Sequence, residues 1–181
     1  MNSMKPDANS QITSRDAVPD DVPALAALGR KTFSDKFAHL YRPEDLADYL
    51  EDCHSHAVYR DYLADAANLV RVAEAADGSL AAYLLCSPLT LPAGDPKPGA
   101  VELKRVYVDQ PLQGRGIGSR FIDEALVWAR GKGAPEMYLS VYSGNVEAQR
   151  LYARLGWEKV GEFLFPVGEH RDLEYLLRLS L

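Results

Sequence analysis

The fold is decided by Val106-Tyr-Val108-Asp-Gln-Pro-Leu-Gln113-Gly114-Arg115-Gly116-Ile117-Gly118, an apolar, strand-like run that passes through three alternating glycines into the helix-forming stretch Ser119 to Arg130. Glycine at every second position lets successive backbone N–H groups turn toward one concavity. The helix opened there adds its own unpaired amide donors and the positive end of its dipole. The order strand, glycine turn, helix therefore predicts an anion cradle, and a phosphate-bearing ligand is its natural occupant. Two other phosphate-binding patterns are excluded. Gly118 is followed by Ser119 and Arg120, so the lysine of a P-loop is missing. A dinucleotide fingerprint would put glycine at position 119 and a carboxylate about 20 residues on at a strand end, where Glu136 instead begins a strand.

A second segment bears on what the cradle serves. Glu136 to Tyr142 is another apolar run of strand character, and it leads into Asn145-Val-Glu-Ala148-Gln-Arg-Leu151-Tyr152-Ala-Arg-Leu-Gly156-Trp157. Asn145 suits the N-cap of a helix there, and Gly156 suits its left-handed end. Val146, Leu151 and Leu155 make an apolar stripe, whereas Asn145, Ala148 and Tyr152, at i, i+3 and i+7, share an adjacent face. A small residue and a phenol are thus predicted to look toward one place.

In these segments the chain resembles the GCN5-related N-acetyltransferases (GNAT family), whose signatures are Gln/Arg-x-x-Gly-x-Gly/Ala and Asn-x-x-Ala-x-x-x-Tyr with a Gly-aromatic end. They read here Gln113-Gly114-Arg115-Gly116-Ile117-Gly118 and Asn145 through Tyr152, closed by Gly156-Trp157, and the resemblance spans roughly Ile12 to Leu181. It implies a GNAT-like α/β (mixed α+β) fold: a strongly twisted mixed sheet of about six to seven strands with helices on both faces. It also implies acetyl-coenzyme A as cofactor. The pyrophosphate would lie on the turn from Gln113 to Ser119, the pantetheine along the strand at Val106 and Val108, and Asn145, Ala148 and Tyr152 beside them. Tyr152 matches the family's tyrosine, and Glu102 is similar in position to a glutamate that several members use as base. Within the family the chain looks most like the bacterial PaiA-type spermidine/spermine acetyltransferases. The similar stretches are Thr32-Phe33-Ser-Asp35-Lys-Phe37, Pro43 through Leu50, Glu102 with Arg105 to Val108, and Phe165-Pro-Val-Gly168-Glu-His-Arg-Asp172. Ser140-Val141-Tyr142 stands where such proteins often carry Gly-Val-Trp.

Composition sets the outer bounds. A chain of 181 residues fits one domain, read as 11–181 behind a disordered polar tail over 1–10. Its 47% apolar and 25% charged residues are globular, and no apolar run approaches the roughly 20 residues needed to span a bilayer. Met1 to Ser10 lacks the apolar core of a signal peptide, so a cytoplasmic location is expected. Cys53 and Cys86 are too few for a disulfide framework. The net charge of −6 argues against nucleic acid and mildly favours a cationic partner. The expected partners are a small-molecule amine acceptor and, where the chain self-associates, a second copy in a homodimer, with no membrane.

The remaining elements follow from periodicity and punctuation. Ile12 to Val18 reads as a first strand, and Pro19-Asp20-Asp21 starts a helix that ends near Phe37. Pro43-Glu44-Asp45 opens a second helix, and His56 to Ala66 reads as a third. Asn68 to Ala75 and Leu80 to Ser87 flank Asp77-Gly78, a hairpin signal. Pro88 to Gly99, with its four prolines, reads as a surface loop. Val101 to Val108, the glycine-capped helix, Met137 to Tyr142 and the Asn145 helix make a βαβα unit, followed by an antiparallel pair over Trp157 to Phe165 and Arg171 to Leu179.

Acetyl transfer to an amine poses two proton problems. An alkylamine with a pKa near 10.4 is almost wholly protonated at neutral pH, and freeing its lone pair costs about 4 to 5 kcal/mol. The departing thiolate in turn gains from a nearby hydroxyl. Tyr152 is expected to serve the second need and Glu102 the first, with bound water as the alternative base. Strand alternation puts Glu102, Lys104, Val106 and Val108 on one face. Tyr142 and His170 are further candidates near strand ends. Cys53-His54-Ser-His56 does not make a metal site, because histidines at i, i+2 diverge on a helix and no second ligand cluster exists. Asp35, Glu44 and Asp48 are expected to hold the distal ammonium of a polyamine, with Phe37 or Tyr41 facing it. Peptide or protein N-terminal acetylation and non-catalytic acyl-coenzyme A sensing are the alternative functions.

Overall fold

A computed structural model describes residues 12–181, so the expected tail over 1–10 lies outside the described residues. One seven-stranded sheet organises them. Its strands are β1 (Thr13–Asp16), β2 (Leu69–Glu74), β3 (Leu80–Pro88), β4 (Val101–Val108), β5 (Glu136–Tyr142), β6 (Glu158–Val167) and β7 (His170–Ser180), in the order β1-β2-β3-β4-β5-β7-β6. Every neighbouring pair is antiparallel except β4 and β5, which bracket a helical crossover and run parallel. The helices are α1 (Val22–Phe37), α2 (Pro43–His54), α3 (His56–Ala64), α4 (Ile117–Gly131) and α5 (Val146–Arg154).

Side-chain alternation on β3 shows how both faces are covered. Ala82, Leu84 and Cys86 join a core with Phe121, Ile122, Ala125 and Ala129 of α4, whereas Tyr83 and Leu85 join one with Leu25 and Leu28 of α1 and Tyr59 of α3. A strand buried on both sides gives a near-continuous apolar run rather than an alternating one, as Leu80 to Cys86 does. The Asp77-Gly78 hairpin forms as the sequence predicts, with the Ala75 N–H donating to the Ser79 carbonyl at 2.9 Å. Boundaries shift by one or two residues at several elements, two of them at helices. The third helix stops at Ala64 rather than Ala66, because the Asp65 side chain accepts the Ala67 N–H at 2.8 Å in a local turn that competes with the helix. The glycine-capped helix begins at Ile117, two residues before Ser119.

The proline-rich segment before β4 is a surface loop held from below by buried acids. Leu89, Leu91 and Ala93 pack on Tyr138 and Leu176, and the Glu136 carboxylate accepts the Lys97 N–H at 3.1 Å. No described helix is long and apolar enough to cross a membrane.

Candidate active site

Gly116, at φ 77°, caps the N-terminus of α4, and Gly114, at φ 75°, precedes it in the same left-handed conformation. A Cβ on either would meet no atom within 4 Å, so the protein leaves open the space those side chains forgo. Gly118 answers another need. A Cβ there would stand 3.8 Å from Val108 Cγ2, so the first turn of α4 lies directly on β4. The Gln113 side-chain amide donates to the Val108 carbonyl at 3.1 Å and ties the turn to the strand end.

These elements border a cleft of about 1010 Å³ between α4 and α5. Val106, Val108, Gln113, Gly114, Gly116, Ile117, Gly118, Ser119, Asn145 and Ala148 all line it; Arg115 is on the turn but outside the lining. Lys36, Arg150 and Arg154 line it too. The sequence reading missed these cations, although Arg150 and Arg154 stand at i, i+4 on one helix face. Glycine amides, a helix N-terminus and three cations are a donor set suited to the phosphates of coenzyme A. Asn145 caps α5 as expected, its side-chain oxygen accepting the Ala148 N–H at 3.3 Å.

A second cavity, of 370 Å³, lies on the other side of a wedge in the sheet. β4 and β5 share only the ladder positions Val101 with Met137 and Glu102 with Tyr138, and then diverge. Phe37, Val106, Tyr107, Asn145 and Ala148 line both the cleft and the cavity, so the two meet in the wedge. Tyr152 lines the cavity, edge-on to Trp157 at 5.8 Å. Burial alone pushes its phenol up to about 12, which keeps it a neutral O–H donor.

The expected alternation along β4 is corrected by a bulge. Arg105 pairs with Leu85 and Leu103 with Cys86, leaving Lys104 as the extra residue. Beyond it the faces exchange: Val106 and Val108 pack with α4, whereas Arg105 and Tyr107 turn to the tyrosines of the opposite core. Glu102 and Val106 therefore do not share a face. The Glu102 carboxylate lines the cavity but is 1% exposed and engaged, accepting the Thr90 N–H at 2.7 Å and the Leu91 N–H at 3.0 Å and pairing with Lys104.

The cavity's other walls are aromatic and acidic. Phe33, Phe37, Tyr41 and Tyr49 come from the α1–α2 region, Phe165 from β6, Tyr142 from β5, and Asp172 and Glu174 from β7. Asp172 accepts the Tyr41 hydroxyl and stands 3.1 Å from His170 Nε2. Glu174, which the sequence reading also missed, lines the cavity beside Ser140. The signal that could have found it is two acids at i, i+2 on one face of a predicted strand. Asp35, Glu44 and Asp48 are corrected: all three are exposed and outside the cavity, with Asp35 paired to Lys31 at 2.8 Å and Glu44 lying 3.6 Å from Arg42. Beneath the cavity His54 is fully buried with Nδ1 2.9 Å from the Tyr59 hydroxyl, and burial, reinforced by Arg105 and Arg30, holds it neutral with a pKa of about 3. No group of three His, Cys, Asp or Glu side chains among the described residues is placed to hold a metal ion.

Comparison with known proteins agrees with this geometry. The family model for the acetyltransferase (GNAT) family matches residues 34–157, and the chain belongs to that family. It is an N-acetyltransferase whose cofactor is acetyl-coenzyme A. The chain is 27% identical over 161 residues to an uncharacterized N-acetyltransferase of Lactobacillus delbrueckii subsp. lactis, covering 89% of this chain and 92% of that one. It is 37% identical over 73 residues to the spermine/spermidine N(1)-acetyltransferase of Bacillus subtilis, covering 39% of this chain and 47% of that one. Among solved structures, the PaiA N-acetyltransferase of Thermoplasma acidophilum in complex with coenzyme A superposes with a TM-score of 0.73 at 17% identity, over 94% of this chain and 99% of that chain.

Proposed function

We propose that the protein transfers an acetyl group to a primary amine by direct attack, and that the amine is a polyamine of the spermidine kind. The observation that carries this reading is the meeting of the phosphate-binding cleft and the aromatic, acidic cavity in the wedge between β4 and β5. Acetyl-coenzyme A, once bound, supplies an activated acetyl thioester. The turn from Gln113 to Ser119 would hold its pyrophosphate, with Arg150 and Arg154 nearby. The unpaired edge of β4 at Val106 and Val108 would align the pantetheine, flanked by Asn145 and Ala148. Tyr152 would give its hydroxyl proton to the departing thiolate.

Direct attack is favoured over a covalent intermediate because neither thiol is activated. Cys53 lines the cavity, but burial pushes its pKa up, and Cys86 is fully buried and shifted the same way. A thiol held protonated is a poor nucleophile. The polyamine reading rests on Asp172 and Glu174. Two residues apart on one strand face, their backbone positions are spaced by about 6.6 Å at the usual strand rise, near the reach of a four-carbon diamine, and the surrounding rings suit a cation. The partial similarity to the Bacillus subtilis enzyme points the same way. The test is thiol release from acetyl-coenzyme A with a panel of spermidine, butylamine and an N-terminal alanyl peptide. Release with spermidine supports the reading, release with the peptide alone would move it to N-terminal acetylation, and cofactor binding without any release would leave a sensor.

A further inference from the structure

Direct attack needs a group that accepts the ammonium proton of the acceptor, and the Glu102 carboxylate already receives two backbone N–H groups and Lys104. We propose that Glu174 is the general base of this enzyme, a role that rests on the N-acetyltransferase reading above. Its position follows from register. On β7 it stands opposite Tyr142 of β5, and the pleat turns it with Asp172 into the acceptor cavity rather than into the core on the other face, where Tyr175 and Leu177 pack. That cavity also holds Tyr152, so an amine there would lie between an acceptor and a donor of protons.

The surroundings leave Glu174 available. The Ser140 hydroxyl lies beside it and opposes the shift of its carboxyl, and none of the ion pairs among the described residues includes it. The ionisable groups facing it are Asp172 on its own strand, Tyr142 on β5, Tyr41 between α1 and α2, and Tyr107 on β4. Tyr41 and Tyr107 are held protonated by burial, so Asp172 is the charge it feels. Burial first, and then Asp172, raises the Glu174 carboxyl to about 7, with the neighbouring Ser140 hydroxyl opposing the shift. A base works best with a pKa near the operating pH.

The proton balance closes. The ammonium gives one proton to the Glu174 carboxylate, and the freed nitrogen lone pair forms the C–N bond as the carbonyl becomes tetrahedral. Collapse breaks the C–S bond, and the thiolate takes the Tyr152 hydroxyl proton. The phenolate takes back a proton from the N-protonated product, whose nitrogen still carries two hydrogens and keeps one as the neutral amide, and Glu174 returns its own to solvent.

Two readouts test this on the full chain. In kcat/KM against pH, which reports the free enzyme, the wild type should show an acidic limb near 7 that stays in place when spermidine is replaced by an amine of lower pKa, since a limb set by the amine would move. Glu174→Gln should lower kcat about 10²- to 10⁴-fold, remove that limb and leave coenzyme A affinity by calorimetry unchanged. Glu174→Asp should recover part of the rate and the limb, and Glu102→Gln should keep the limb. Independently, the carboxyl infrared band of the free protein should titrate near 7 in wild type, and this component should be missing from Glu174→Gln. Wild-type kcat in Glu174→Gln, or a limb that disappears with Glu102→Gln instead, overturns the base assignment while acetyl transfer stands. A protein that binds coenzyme A but acetylates no amine removes the function and the base together.

Discussion

Asp45, near the start of α2, accepts the backbone N–H of Glu169 at 2.8 Å and so pins the helix that lines the aromatic cavity to the turn between β6 and β7. Gly168 makes the approach feasible. At φ 56° it occupies the left-handed region, and a Cβ on it would fall within 2.7 Å of Asp45 Cγ. Gly168→Ala should destabilise the protein by about 1–3 kcal/mol and raise the acceptor KM, while coenzyme A binding holds. Urea unfolding with parallel kinetics checks this, and an unperturbed variant would mean that the helix is held elsewhere.

Gly116→Asp places a side chain and a negative charge where open space and amide donors meet. Coenzyme A affinity should fall about 100-fold, near 2.7 kcal/mol, by titration calorimetry. If a folded Gly116→Asp protein bound coenzyme A normally, the cradle would lie somewhere else on the surface.

Tyr152→Phe removes one hydroxyl from the cavity and nothing from the cleft. Turnover should drop about 10- to 100-fold with cofactor affinity intact, the pattern of a group used only in the transition state. Undiminished turnover would reduce Tyr152 to its packing against Trp157.

His54 sets a pH dependence of stability. Its folded pKa of about 3 lies below an ordinary histidine near 6.5, so the unfolded chain binds the extra proton. Stability is complete above about pH 6.5 and is lost as pH falls toward 3, at up to about 1.4 kcal/mol per pH unit. Chemical unfolding at several pH values should show that slope beginning near 6.5, and His54→Gln should remove it. A flat profile above pH 5 in wild type would contradict the buried neutral histidine.

The acceptor prediction separates exposed acids from enclosed ones. Spermidine should exceed butylamine in kcat/KM, and the preference should survive Asp35→Asn, Glu44→Gln and Asp48→Asn, which lie outside the cavity. It should also change little with salt, since screening over a Debye length of about 8 Å at physiological ionic strength acts mainly on exposed charges. Loss of the preference in any of those three variants would return the second ammonium to the α1–α2 surface.

The glycine turn and the capped helix α5 were legible because glycine, Asn145 and helical spacing encode local geometry: a left-handed cap, an N-cap and a shared face each need only a few neighbouring residues. The lining of the aromatic, acidic cavity was less so. Glu102 and Val106 looked coplanar until a single unpaired residue, Lys104, reversed the alternation, and a bulge of that kind has no compositional mark on β4. Glu174 and Asp172 were invisible for another reason. Their place in the cavity depends on β7 inserting between β5 and β6, a long-range pairing that alternation within one strand does not reveal. The carboxylates of α1 and α2 misled because their charge was legible and their outward direction was not.

The wedge between β4 and β5 makes the sheet two half-sheets joined at a two-residue clasp, Val101 with Met137 and Glu102 with Tyr138. Whatever fills the gap becomes a missing rung of the ladder, and the free enzyme is the less complete fold. Substrate occupancy should therefore be readable without any chemistry. The melting temperature would climb with the logarithm of coenzyme A concentration, and the amides of 104–108 would be the ones to slow in hydrogen exchange.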